Sequence, residues 1–128
     1  MVNKESVKFS FEDLDVWQKA VKFANQVICN IDKLDTTRKH YRLIEQLESA
    51  VTSVSMNIAE GKGRYSKKEF VQFLYISRGS LYETVTLLMI CNENKWIQDE
   101  QFEELKKYAI EIGKMLSSLI SSIKKSIT

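Results

Sequence analysis

Residues 57–66 read Asn57-Ile58-Ala59-Glu60-Gly61-Lys62-Gly63-Arg64-Tyr65-Ser66, and this stretch ends one amphipathic helix and begins the next. Gly61 stands where a helix C-cap favours a residue with positive φ, and Gly63 adds a second permissive position. Ser66 is followed three positions later by Glu69, the spacing of a capping box at a helix N-terminus. The stretch therefore predicts a chain reversal between two helices.

The composition of the whole chain favours a helical domain. Its 128 residues are 44% hydrophobic and 28% charged, a balance typical of a globular protein rather than a disordered one. The chain has no proline and only four glycines, so nothing in it obliges a long helix to break. We predict a single domain over residues 1–128, with residues 1–9 as a flexible N-terminal arm.

Apolar residues recur at alternating intervals of three and four in four successive segments, which is the spacing of one face of an α-helix. We expect these helices from Ser10 to about Ile31, from about Arg38 to Glu60, from Lys67 to about Asn92, and from Asp99 onward. Short polar links join them. The sequence thus predicts an all-α fold, an antiparallel up-down four-helix bundle.

Capping patterns and apolar stripes refine the first and fourth helices. Ser10 is the predicted N-cap of the first helix, with Phe9 and Leu14 as a hydrophobic staple. Candidates for the next N-caps are Asp35, Thr36 or Thr37 for the second helix and Asp99 for the fourth. The predicted inward stripe of the first helix is Leu14, Trp17, Val21, Ala24, Ile28 and Ile31, and that of the fourth is Phe102, Leu105, Ala109, Ile112, Leu116, Leu119 and Ile123.

Small residues are dense in the second helix, and the third helix contains Gly79. A surface of small side chains lets neighbouring backbones come close, and a glycine within a helix costs about 1 kcal/mol relative to alanine. We therefore expect another helix to approach the second helix closely, and Gly79 to mark a close approach as well.

Two helices carry more apolar residues than one core can cover. The surplus residues are Tyr75, Ile76 and Tyr82 on the third helix and Ile110, Met115, Ile120 and Ile127 on and beyond the fourth. Soluble monomers rarely expose a broad apolar patch. We expect the protein to self-associate through one helical face.

Basic residues cluster at the predicted turn between the second and third helices. They are Lys62, Arg64, Lys67 and Lys68, with Tyr65 among them. Free amides at a helix N-terminus favour anions, and an up-down bundle places Lys124 and Lys125 at the same end. The cluster is a candidate nucleic-acid-binding site; the alternative is that these charges only solvate a turn.

Asn57 falls on the apolar seam of the second helix and needs hydrogen-bond partners if it is buried. We expect a polar network of Asn57, Glu60, Arg64 and Glu83. Because a polar residue on a helical seam usually fixes register, we interpret this network as structural.

No residue pattern predicts catalysis or a metal site. His40 is the single histidine, so the paired Glu-x-x-His motifs of a di-metal bundle are missing, and Cys29 and Cys91 form no C-x-x-C. The glycines lack the G-K-[ST] ending of a phosphate loop. We expect no enzyme activity and no cofactor. The sequence also has no signal-peptide core or membrane-span-length apolar run, so we expect a cytoplasmic protein without a membrane partner.

Several motifs occur together along the chain. They are Phe11-Glu12-Asp13-Leu14-Asp15-Val16-Trp17-Gln18-Lys19-Ala20, Gln46-Leu47, Ser53-Val54-Ser55-Met56-Asn57-Ile58-Ala59-Glu60-Gly61-Lys62-Gly63-Arg64, Phe70, Phe73-Leu74 and Gly79-Ser80-Leu81-Tyr82-Glu83. Over roughly residues 9–120 the chain resembles the bacterial four-helix bundle proteins encoded in intervening sequences of 23S ribosomal RNA genes. The N-I-A-E-G-x-G-R and D-L-x-V-W-x-x-A motifs carry most of the specificity, because they stand at the expected separation with nothing inserted.

The resemblance implies that the protein is a homopentamer of four-helix bundles. The members of the family largely lack an assigned function. That family is similar in fold to the accessory variability protein of diversity-generating retroelements, a pentameric barrel that binds nucleic acid and a reverse transcriptase. This chain has Glu48 and Ser49 where the family usually has basic residues, and Ser55 where it usually has proline. On this resemblance we expect a non-catalytic oligomer that binds RNA or a ribonucleoprotein partner; the alternative is a protein-interaction scaffold with no nucleic-acid role.

Overall fold

The computed structural model of the protein describes residues 7–36 and 40–127, and these residues are predominantly helical. A short 3-10 helix, Ser10–Asp13, is followed by α1 (Asp15–Ile31), α2 (Tyr41–Lys62), α3 (Lys67–Glu93) and α4 (Asp99–Lys125). The prediction of an all-α, four-helix fold is confirmed. Residues 1–6 of the predicted arm, the N-cap candidate Thr37 and the predicted helix start at Arg38 lie outside the described residues.

The four helices form a bundle in which each one packs against two neighbours. α2 contacts α1 and α3, and α4 contacts α3 and α1. The fully buried large side chains come from all four helices and fill the space between them: Phe23, Leu47, Ile58, Leu74, Leu81, Leu88, Ile112 and Leu116. Burying apolar side chains of this size contributes about 1.5–3 kcal/mol each, so this shared core drives the assembly of the bundle.

The first helix differs from the prediction in its start and in its buried face. Ser10 belongs to the 3-10 helix, where the backbone N–H of Phe9 donates to the Glu12 carboxylate at 2.8 Å, and α1 begins at Asp15 after the extended residue Leu14. The side chains that are buried are Val16, Ala20, Phe23, Ala24 and Val27. The centre of the buried face therefore lies about one residue before the predicted stripe, because Phe23 rather than Val21 is fully buried and stacks on Tyr108. Part of the prediction is confirmed: Ala24 is buried, and partly buried side chains of the stripe pack against the core, namely Leu14, Trp17 and Ile31.

The predicted close approach of another helix to α2 is confirmed. Ser77 of α3 is fully buried, and its hydroxyl donates to the backbone carbonyl of Val54 at 2.7 Å. The hydroxyls of Ser53 and Ser80 lie 2.9 Å apart across the same contact. Gly79 behaves differently from the prediction, because a Cβ there would meet no atom within 4 Å. Ser53 and the backbone at Val54 thus serve the contact of α2 with α3, while Gly79 faces away from the bundle.

The predicted face of α4 is confirmed from Phe102 to Leu116, but two of the predicted surplus residues pack on the core, and one of them, Met115, does so partly buried. Ile120 is 4% exposed and belongs to the core. Ile110 remains half exposed, at 50%, as the surplus predicts. The N-cap of α4 is Gln98 rather than Asp99, whose carboxylate instead accepts a hydrogen bond from the Asn92 side chain at 2.8 Å.

Candidate nucleic-acid interface

The turn between α2 and α3 is tight because Gly61 lies directly against α3. A Cβ on Gly61 would lie 2.7 Å from Cβ of Phe73 and 3.0 Å from Cδ1 of Phe70. The prediction of a positive-φ C-cap at Gly61 is wrong: α2 continues through Lys62, its C-cap Gly63 has a φ of −79°, and the described glycines all have negative φ. Gly61 is needed for contact with α3, not for its backbone angle.

Ser66 is the N-cap of α3, as predicted. Its hydroxyl accepts the backbone N–H of Glu69 at 3.2 Å, which satisfies one of the free amides of the first turn. Lys67 and Lys68 follow at once, and both side chains are exposed. The first turn of α3 therefore combines two cations with the positive end of the helix dipole.

Two cations of the turn rest on aromatic rings of α3. The Arg64 guanidinium lies 4.7 Å from the centroid of the Phe73 ring and pairs with Glu60 at 2.8 Å. Lys62 lies over Phe70, with its Nζ 5.8 Å from the ring centroid. The charge of Arg64 is thus partly compensated and its position fixed, whereas Lys62 has no carboxylate partner within residues 7–36 and 40–127.

Tyr65 stands at the tip of the turn with its side chain fully exposed. Among the described residues it has neither a hydrogen-bond partner nor a ring contact. An aromatic ring presented in this way between cations can stack on an unpaired base. The structure therefore leaves Tyr65 available for binding.

The predicted residues Lys124 and Lys125 lie near Tyr75, about a third of the way along α3, rather than at its first turn. The Nζ of Lys124 donates to the Tyr75 hydroxyl at 3.2 Å. Tyr75 follows Lys67 by eight residues, or about 12 Å along the helix axis. The two lysines thus extend the basic surface along the α3–α4 face.

Arg78 is a basic residue of this surface that the sequence analysis missed. It lies over the ring of Tyr75, with its guanidinium carbon 5.0 Å from the ring centroid, and donates to the Ser117 hydroxyl at 3.2 Å. A three-residue spacing on a helix places Tyr75 and Arg78 on one face, so the spacing was readable from the sequence. The proximity of Tyr75 and Arg78 to Lys124 depends on how α4 packs, so it could not be read from the sequence.

The predicted polar network is divided between separate contacts. Asn57 is half-buried and donates to the backbone carbonyl and the hydroxyl of Ser53, both at 2.8 Å. Glu60 pairs with Arg64, and Glu83 accepts a long hydrogen bond of 3.5 Å from Gln46. Asn57 thus joins the serine contacts between α2 and α3. The sequence pattern did not predict this link between Asn57 and the serines.

The remaining residues considered for chemistry lie apart from one another. His40 stacks on Trp96 at 4.3 Å between ring centroids, Cys29 is exposed on α1, and burial raises the pKa of the Cys91 thiol. No group of three His, Cys, Asp or Glu side chains within residues 7–36 and 40–127 is placed to hold a metal ion. In the same part of the chain, no helix has both the length and the apolarity of a membrane span.

Comparison with known proteins identifies relatives over most of the helical bundle. The model of the family described as 23S rRNA-intervening sequence protein matches residues 12–118. A solved structure of a protein with unknown function from the S23 ribosomal protein family of Bacteroides thetaiotaomicron VPI-5482 is similar to this chain, with 28% identity and a TM-score of 0.76. The match covers 82% of this chain and 97% of that one. No curated protein matches the sequence. Because the family model spans most of the helical bundle, the chain belongs to the 23S rRNA-intervening sequence protein family.

Proposed function

We propose that the protein is a non-catalytic, homo-oligomeric helical bundle that binds RNA, or a ribonucleoprotein, through the basic turn between α2 and α3. The observation that carries this proposal is the exposure of Lys62, Lys67 and Lys68. No salt bridge neutralises any of the three among the described residues. Unpaired lysines of this kind can bind RNA phosphates and displace the counterions that are condensed on the RNA.

Other features of the turn favour RNA as the ligand, rather than a surface with diffuse negative charge. Ser66 is the N-cap of α3 beside these lysines, so a phosphate bound there would meet backbone amides as well as ammonium groups. Tyr65 adds an exposed ring on which an unpaired base can stack. Glu60 and Glu69 offset part of the charge within the turn, so several subunits acting together would strengthen a weak contact.

Self-association is part of the proposal and is supported by the apolar residues between α3 and α4. Tyr82, Met89 and Ile110 are exposed and line an open groove of about 970 Å³. Exposed apolar surface of this kind commonly marks an interaction face. The number five for the subunits comes from the family resemblance.

The test is binding of a structured RNA fragment and a matched DNA duplex, measured by fluorescence anisotropy at low and at physiological salt. We expect affinity for RNA that falls steeply with salt and is lost in a Lys62→Gln/Lys67→Gln/Lys68→Gln variant. Arg64 is left unchanged because it pairs with Glu60 and packs on Phe73. A charge-matched control changes Lys22, Lys33 and Lys107 to glutamine. These three lysines are exposed on other parts of the bundle.

The second candidate function is a scaffold for protein partners, favoured by the same apolar groove. A partner held by apolar contacts would bind with little dependence on salt, and the lysine variant would retain that binding. Absence of RNA binding by the wild-type protein at low salt would contradict the nucleic-acid proposal and leave this candidate.

A further inference from the structure

A second basic site lies between α3 and α4, beyond the predicted turn. It is a cleft of about 430 Å³. Its lining residues are Tyr75, Arg78, Ser117, Ile120, Ser121, Lys124 and Lys125. Three of these seven side chains are cationic and none is a carboxylate, so the cleft is electropositive.

The cations of the cleft are held in place by neutral groups. Arg78 donates to the Ser117 hydroxyl and lies over the Tyr75 ring, while Lys124 donates to the Tyr75 hydroxyl and lies 5.8 Å from the same ring centroid. Neither these two cations nor Lys125 forms a salt bridge within residues 7–36 and 40–127.

Holding a cation with a hydroxyl or a ring fixes its position without neutralising its charge. A guanidinium has five N–H groups and an ammonium three, so Arg78 and Lys124 each keep donors for a further partner. The Ser117 and Ser121 hydroxyls stand on the same side of α4 and can also donate. The cleft thus presents fixed charges from two helices and several donors, which suits a tetrahedral oxyanion with several acceptor oxygens.

We propose that this cleft binds a phosphate group, and specifically a phosphodiester of the same RNA strand that contacts the basic turn. This inference rests on the proposed RNA binding. Lys67 and Tyr75 stand about 12 Å apart along α3, a distance that a few nucleotides of one strand can span. One strand lying along α3 would therefore reach both groups of cations.

The experiment compares the salt dependence of RNA binding in an Arg78→Gln/Lys124→Gln/Lys125→Gln variant with that in the wild type. Each lost phosphate contact lowers the slope of log K against log salt by about 0.7–0.9. Because the cleft binds one phosphate, we expect the slope to fall by about 0.7–0.9 and the affinity at physiological salt to drop about tenfold or more. The control variant with Lys22, Lys33 and Lys107 changed to glutamine has the same net charge as the cleft variant. It should keep more of the wild-type salt slope and more of the wild-type affinity.

A milder variant tests the positioning of Lys124. Tyr75→Phe removes the hydroxyl that accepts the lysine but keeps the ring and all the charges, so we expect a severalfold weaker affinity with little change in slope. The fold of each variant is checked by circular dichroism.

The possible results separate this inference from the proposed function. If the wild type binds RNA and the cleft variant binds with the same slope and affinity, the cleft site is wrong while the turn remains. If the wild type does not bind RNA, both proposals fail. A parallel NMR titration with inorganic phosphate identifies the source of the ligand: shifts at Arg78 and Ser117 with phosphate, together with an RNA affinity unaffected by the cleft variant, would assign the cleft to free phosphate compounds and overturn the phosphodiester assignment.

Discussion

Gly61 faces Phe73 so closely that a Cβ on the glycine would lie 2.7 Å from Cβ of the phenylalanine. Both positions are on helix backbones, so neither atom can move by a simple side-chain rotation. We expect Gly61→Ala to push α2 and α3 apart and to lower the free energy of unfolding by about 1–3 kcal/mol, the usual cost of overpacking. Urea denaturation measures the change.

Gly79→Ala is the matched control for this substitution. It also replaces a helical glycine, but the new Cβ meets no atom within 4 Å. Alanine is the better helix former by about 1 kcal/mol, so this variant should be as stable as the wild type or more stable. Equal effects of the two substitutions would contradict the close contact at Gly61.

Lys95 is the single described non-glycine residue with a positive φ, 62°, and it follows the C-cap of α3. The backbone N–H of Trp96 donates to the Cys91 carbonyl at 2.9 Å, so the chain needs this left-handed position to end the helix. A side chain with a Cβ costs about 1 kcal/mol there, and glycine does not. We expect Lys95→Gly to raise the free energy of unfolding by about 1 kcal/mol in urea denaturation.

The control for Lys95 is Lys95→Ala, which removes the charge but keeps the Cβ. Its stability should stay near that of the wild type. If the alanine and glycine variants were equally stable, the backbone angle would not be the source of the gain.

Lys19 of α1 joins Glu111 of α4 through a contact of 2.5 Å, and its Nζ lies 4.3 Å from the centroid of the Tyr108 ring. The hydrogen bond from Lys19, together with its charge, lowers the pKa of Glu111. A carboxyl whose pKa is lowered by folding stabilises the protein above its ordinary pKa, and the contribution is lost as pH falls through the lowered value.

Lys19→Met is therefore expected to raise the pKa of Glu111 towards its ordinary value and to flatten the acid side of the stability profile. The pKa is measured by NMR titration of the Glu111 carboxyl carbon. Lys22→Met, three residues along α1 and exposed, is the control and should leave that pKa unchanged. An unchanged Glu111 pKa in Lys19→Met would show that the pair does not form in solution.

The apolar periodicity predicted the number of helices and most of α4, but not which face of α1 is buried. α1 has apolar residues at Val16 and Phe23 and also at Trp17 and Val21, so a rotation of about 100° changes the stripe without changing the pattern. Phe23 is buried because Tyr108 of α4 receives it, and the sequence of α1 contains no information about that partner.

The basic turn could be predicted from the local sequence, but the role of Gly61 could not. Local sequence records charges and chain reversals, but a glycine signals either a special φ or a close neighbour, and only the packing of α3 decides between them. Arg78 was missed in a similar way, since the cleft exists only where α3 meets Ser117 and Lys124 of α4.

The exposed residues Tyr82 and Ile110 face the same groove from α3 and α4, and we predict that they lie in the contact between subunits. Tyr82→Glu and Ile110→Glu place a carboxylate in a surface that association would dehydrate, which costs several kcal/mol if it stays unpaired. Each variant should therefore raise the dissociation constant of the oligomer at least tenfold, measured by sedimentation velocity over a concentration series.

Met56→Glu on α2 is the control: Met56 is also exposed and apolar but lies outside this groove, so this variant should keep the wild-type assembly. A wild-type protein that stays monomeric at high concentration, or groove variants that assemble as the wild type does, would contradict self-association through α3 and α4.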